Sequence, residues 1–171
     1  AHQNWDVVPD GSTMAKGIGN GIPLGAFTTT EPISEVMRNR IHFNTFGGNP
    51  VSSAAAMATL DVIEDEGVQE NARVVGSHAL ARLRAIEHPL KAEARGLGLF
   101  FGIEFVEADG TPATDFAARI VEGMIVRGVL LIRIGRDMNT LKMRPPMPFG
   151  IAEADLAMDT LEEVHCETPH D

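Results

Sequence analysis

Between residues 51 and 66 the apolar positions Ala54, Met57, Ala58, Leu60 and Ile63 recur three and four apart, and Gly67 ends the run. That spacing predicts an α-helix with one apolar side. The small residues from Ser52 to Ala56 predict close packing of this helix against another backbone. A second helix is predicted from about Val68 to Ile86, with Val75, Leu80, Leu83 and Ile86 inward and Pro89 as its stop. The stretch TPATDFAARIVEGMIVRG predicts a third, capped by Thr114 and turning Phe116, Ala117, Ile120, Val121 and Met124 inward. AEADLAMDTLEEVHC, after PPMPFG, predicts the last.

Strand patterns lie between these helices. WDVVPDGSTM is an extended approach broken by Pro9 and Gly11. LGAFTTT (24–30) is β-branched and aromatic and predicts a short strand. EPISEVMRN then predicts a brief helix with proline in its first turn. KAEARGLGLFFGIEFVEADG reads as two strands around a glycine bend, and VLLIRI and TLKMR as two more joined by GRDMN. The order is mixed strand and helix at first, then a compact αββαββα unit. It predicts an α/β or α+β protein divided near residue 70.

Composition narrows the class. The apolar fraction of 44 % is that of an ordinary globular protein. No apolar run is long enough to cross a bilayer, and the first ten residues lack the basic start and apolar core of a signal peptide. The one cysteine, Cys166, can form no internal disulfide, which predicts a reducing, cytoplasmic setting. A net charge of −10 argues against non-specific nucleic-acid binding while leaving room for a local anion site. The chain opens on Ala1 rather than methionine, from which we expect it to be part of a longer polypeptide.

Three segments carry candidate chemistry. In STMAKGIGNGIPLGAF (12–27), Lys16 follows a strand end and precedes Gly17, Gly19 and Gly21. A lysine among glycines is ordinarily an exposed loop residue. Held in a closed turn, it can lose its proton and act as the amine that binds an aldehyde cofactor. A P-loop requires its lysine after the glycines, and GIGNG is not G-x-G-x-x-G, so both nucleotide readings fail on spacing. In FNTFGGNP (43–50), Asn49 and Pro50 are the cap and first position of a helix. Thr45 and the N–H groups near Gly47 and Gly48 offer a place for a phosphate. In LKMRPPMPF (141–149), strand alternation puts Lys142 and Arg144 on one side. Two cations there suit an anionic substrate group, or are simply a solvated strand face. The six histidines show no metal-ligand spacing, so no metal is expected.

In this order, these segments resemble the C-terminal half of class III aminotransferases, the fold-type-I family that uses pyridoxal phosphate. VVPDGSTMAKGIGNGIPLGAF resembles the family's lysine segment, and FNTFGGNPVSSAAAMATLDVIE its phosphate-threonine loop and following helix. ARGLGLFFGIEF and LKMRPPMPF resemble strands of its small domain. The resemblance implies that residues 1–70 close the cofactor-binding large domain and its linking helix. Residues 71–171 would be the small α+β domain. It implies that Lys16 is the Schiff-base lysine and proton shuttle, and that Thr45 binds the cofactor phosphate from the partner subunit of a homodimer. Lys142 and Arg144 would bind the substrate.

The implied reaction moves an amino group between an amino acid or amine and a 2-oxo acid such as pyruvate or glyoxylate. Many members place an arginine three before the double proline, where this chain has Lys142. A lysine cannot make the bidentate fork, and it also occurs in a branch that eliminates phosphate from phosphorylated amino alcohols. Gly11-Ser12 replaces two apolar strand residues. The upstream phosphate loop, ring-stacking aromatic and ring-nitrogen aspartate are not in this sequence. On its own, the chain is therefore expected to be a poor catalyst or a non-catalytic fragment.

Overall fold

Alternating side chains set the larger of two sheets. In the computed structural model, which describes residues 2–169, strands β3 (Lys91–Leu97), β4 (Phe100–Phe105), β5 (Ile132–Ile134) and β6 (Thr140–Met143) pair antiparallel in the order β3-β4-β6-β5. The β4–β6 register sets Phe101 against Met143, Gly102 against Lys142 and Ile103 against Leu141. Phe101, Ile103, Phe105, Leu141 and Met143 are all buried. Helices α3 (Val68–Ala85), α4 (Thr114–Val126) and α5 (Ile151–Glu167) contribute Leu83, Phe116, Ile120, Met158 and Leu161 to the same core. Each such side chain stabilises the fold by roughly 1.5–3 kcal/mol relative to exposure.

The helices are pinned in specific ways. Gly76 of α3 lies directly on the β3–β4 turn: a Cβ there would stand 2.1 Å from the Gly98 carbonyl oxygen. Lys91 Nζ donates to the carbonyls of Arg84 (2.7 Å) and Ile86, satisfying acceptors that the end of α3 leaves open. Between α3 and α5, Arg82 (24 % exposed) donates to Asp155 at 3.1 Å, Asp159 at 2.7 Å and Glu162 at 2.9 Å. His78 Nε2 also meets Asp155 Oδ1 at 2.6 Å. The His78 contact, then the Arg82 guanidinium, hold the Asp155 carboxyl below its ordinary range.

A buried aromatic cluster joins the end of α5 to the segment after α3. The ring of His165, 4 % exposed, lies 4.1 Å from that of His88, which stacks on Phe116 at 4.7 Å. His165 Nε2 has no hydrogen-bond partner. Burial, then the nearby His88 and Lys91, push its pKa down to about 4. The unfolded chain, with His165 near 6.5, therefore takes up this proton first as pH falls. The stabilisation is complete above pH 6.5 and is lost towards pH 4, by about 3 kcal/mol in all. Urea unfolding at stepped pH should show this loss in the wild type. In His165→Phe most of the slope between pH 6.5 and 4.5 should disappear.

The chain divides at Glu66/Gly67, where Gly67 has φ +59°. In the preceding unit, β1 (Gly11–Ala15) and β2 (Gly25–Thr29) form an antiparallel pair, followed by α1 (Glu31–Arg38) and α2 (Pro50–Asp65). Three sequence expectations change. Gly11 does not break the first extended segment but begins β1, opposite Thr29. The predicted inward stripe of α2 is largely exposed at Ala54, Met57, Ala58 and Leu60, and the helix buries Ser52 and Ala56 instead. Thr114 does not cap α4: Ala113 holds that position, and the Thr114 hydroxyl donates to the Asp137 carbonyl at 2.5 Å. Among the described residues no helix is long and apolar enough to cross a membrane.

Candidate functional site

Lys16 stands where β1 stops. Ala15 is still extended (φ −157°, ψ −174°), and a 3-10 turn, Lys16–Gly19, follows at once. The turn is closed by Asn20 N–H to Gly17 O at 3.1 Å and Ile22 N–H to Gly19 O at 3.0 Å. Three residues adopt positive φ here: Lys16 at +56°, Asn20 at +43° and Gly21 at +107°. For a side-chain-bearing residue other than asparagine or aspartate, the left-handed region costs roughly 1–2 kcal/mol. Glycine would occupy position 16 without that cost, so backbone geometry does not account for the lysine. A strained residue held against its own preference points to function. The Lys16 side chain is exposed and, among the described residues, makes no hydrogen bond or ion pair. Its side chain lines an open concavity of about 550 Å³ with Gly17, Asn20, Gly21, Ile22, Pro23 and Leu24.

Pro23 and Leu24 also line the neighbouring concavity, of about 610 Å³, with Gly25, Asn44, Phe46 to Asn49 and Ser52. The expected cap is present. Asn49 Oδ1 accepts from the Ser52 N–H at 2.9 Å, and Pro50 takes the first helical position. Asn49 Nδ2 donates back to Phe46 O at 2.9 Å, while Asn44 Oδ1 accepts from Phe46 N–H at 3.2 Å. The loop is thereby folded onto the N-terminus of α2. The first turn of that helix carries no acidic residue, so its positive dipole end is uncompensated. Thr45 is exposed between Asn44 and Phe46 and is not among the residues lining either concavity. The Lys16 turn and the 44–49 loop are thus neighbours through residues 23–24, with Thr45 exposed and outside both linings.

Lys142 and Arg144 belong to the second unit. Lys142 lies on β6 between Gly102 of β4 and Ile132 of β5 and is half-buried. A Cβ at Gly102 would meet the Leu141 carbonyl oxygen at 2.4 Å, so glycine is required for the two strands to close. Arg144 is exposed, one residue beyond the end of β6. Both cations, with Pro145, Pro146 and Phe149, line a mainly apolar concavity of about 420 Å³. Neither has a carboxylate partner among the described residues. Sequence patterning does not reveal Asn71, whose side chain holds the loop after Arg144 through contacts 76 and 78 residues away. The polar seam between α3 and α5 does leave a signal. His78 and Arg82 are four apart on one predicted helix, and Asp155, Asp159 and Glu162 share a face of another.

The family model described as aminotransferase class-III matches residues 1–164. The chain belongs to the class III aminotransferase family. It is 44 % identical over 161 residues to alanine–glyoxylate aminotransferase 2 homolog 2, mitochondrial, of Arabidopsis thaliana, a match covering 92 % of this chain and 34 % of that protein. A phospholyase from Arthrobacter, solved in complex with phosphoethanolamine, is 40 % identical with a TM-score of 0.93 and covers 98 % of this chain and 41 % of its own. An amine transaminase from an uncultivated Pseudomonas species, solved in its PLP-bound form, is 31 % identical with a TM-score of 0.87. That match covers 98 % of this chain and 40 % of the transaminase. The fold is therefore the fold-type-I aminotransferase fold that the resemblance implies. This class III chain spans about a third of the curated relative it matches.

Proposed function

We propose that this chain supplies the cofactor lysine and anion-binding elements of a pyridoxal-phosphate-dependent aminotransferase. The enzyme would exchange an amino group between an amino acid or amine and a 2-oxo acid of the pyruvate or glyoxylate class. The observation that carries the reading is Lys16, a lysine without a partner in the left-handed region at a strand end. The residues fit the cofactor: a primary amine for its aldehyde, and beside it a glycine loop on a helix N-terminus free of acidic residues for its phosphate. Lys16 would hold the group through Nζ, the 44–49 loop would take the phosphate beside it, and Thr45 would reach the phosphate of the partner subunit's site. Thr45 is exposed between Phe43, 84 % exposed, and Phe46, 80 % exposed. An exposed threonine flanked by uncovered aromatic rings favours a second copy of the chain as its partner, hence a homodimer. When bound, pyridoxal phosphate supplies an electron-withdrawing ring that stabilises negative charge at the substrate α-carbon. Lys16 Nζ takes and returns the proton at that carbon. Lys142 and Arg144 bind the substrate's anionic group.

A second reading, elimination of phosphate from a phosphorylated amino alcohol, is favoured by Lys142 in place of arginine and by the likeness to the phosphoethanolamine-bound phospholyase. One pair of assays on the intact holoenzyme separates them. L-alanine with glyoxylate should yield pyruvate, and phosphoethanolamine should yield no inorganic phosphate. Phosphate release without amino transfer would replace the first reading by the second.

A further inference from the structure

The loop that follows Arg144 is poor in its own hydrogen-bond donors. Pro145, Pro146 and Pro148 carry no N–H. Phe149 N–H bonds within the loop, to Pro146 O at 3.0 Å. The carbonyls of Met147 and Phe149 turn to another element: Asn71 Nδ2 donates to both, at 2.9 and 3.0 Å. Two carbonyl acceptors facing one side-chain end fix the amide orientation, because the flipped Oδ1 would face both oxygens with no proton between. Asn71 sits in the first turn of α3, which is locked to the sheet where Gly76 meets Gly98. The segment carrying the two cations is therefore held at both ends, by the β6 ladder before Arg144 and by Asn71 after Pro148.

We infer that Asn71 is a positioning residue for the anion-binding pair, setting the path of the Arg144–Phe149 segment and through it the placement of Lys142 and Arg144 on the substrate. The inference rests on the proposed role of those cations. Neither cation has a carboxylate to hold it among the described residues, so their aim depends on the backbone that bears them. A loop released at its far end keeps the charge but spreads it over more positions, which weakens ground-state binding more than it slows the chemical step.

The test uses the intact holoenzyme with Asn71→Asp, which is isosteric and removes both donors, and Asn71→Gln, which restores an amide on a longer stem. Asn71→Asp should raise KM for the anionic substrate about tenfold, with kcat within about threefold. Amide hydrogen exchange should accelerate in residues 143–150 and nowhere else. Asn71→Gln should recover part of both effects. In a Lys142→Ala/Arg144→Ala background, with KM already raised, Asn71→Asp should add nothing further to KM. Faster exchange with unchanged KM would overturn the positioning role. So would an equal KM increase with and without the two cations, or a KM increase that Asn71→Gln fails to reverse. If the Lys142→Ala/Arg144→Ala enzyme keeps the wild-type KM, the substrate role of those residues fails and the inference falls with it. That outcome is told apart by the background alone.

Discussion

Replacing Lys16 with glycine should lower amino transfer by the intact holoenzyme by at least about 10³-fold, within the range that a positioned proton-transfer group supplies, while the melting temperature of the cofactor-free protein does not fall. The two halves of this result have separate causes. The amine is the only group at the end of β1 suited to hold an aldehyde cofactor and carry a proton, and glycine removes it. The backbone at φ +56° is one that glycine enters freely. Relief of strain of about 1 kcal/mol therefore offsets glycine's larger entropy in the unfolded chain. An ordinary loop lysine would show the reverse, with activity retained. Lys16→Ala, which keeps the Cβ in the left-handed region, should lose the same activity without any relief of strain.

The second large effect is structural. Gly76→Ala should destabilise the unit beginning at Gly67 by about 3 kcal/mol or more, and lower its thermal midpoint by more than about 10 °C. The new methyl would stand 2.1 Å from the Gly98 carbonyl oxygen and 2.2 Å from its carbon. These are backbone atoms of a tight turn, with Gly98 itself at φ +55°, so no side chain can swing aside. Helix α3 must lift from the sheet, opening the core around Val75, Ala79 and Leu83. Calorimetry on wild type and variant checks this. An unchanged midpoint would mean that α3 and the β3–β4 turn are not in this contact in solution. Gly67→Ala is a useful contrast: it has open space around the position and is strained by its φ of +59° alone, so its cost should be nearer 1 kcal/mol.

Helices α3 and α4 are legible in the sequence because their apolar faces are covered by the same chain. Val75, Leu80, Leu83, Phe116 and Ile120 are read from spacing and are buried in the structure. Helix α2 shows where that reasoning stops. The spacing of Met57 and Leu60 correctly marks a helix, yet both side chains are exposed, 59 % and 46 %. Periodicity says which side is apolar, not what covers it. At Lys16 the glycine run identifies the segment but misplaces the strain, which falls on the lysine as well as on its neighbours. The Asn49–Pro50 helix start is fully local and fully readable. Asn71 is the opposite case, since nothing within its own turn signals two carbonyl acceptors more than seventy residues away. The same distance hides the His88–His165 ring contact, in which each histidine taken alone has no recognisable ligand spacing.

The central claim is that Lys16 is the residue that binds pyridoxal phosphate. Borohydride reduction of the intact holoenzyme, followed by peptide mapping, tests it most directly. One pyridoxyl-modified peptide is expected, with the added mass on Lys16 and no modification in Lys16→Gly. A pyridoxyl group on Lys91, Lys142 or a lysine outside this chain, with Lys16 unmodified, would contradict it.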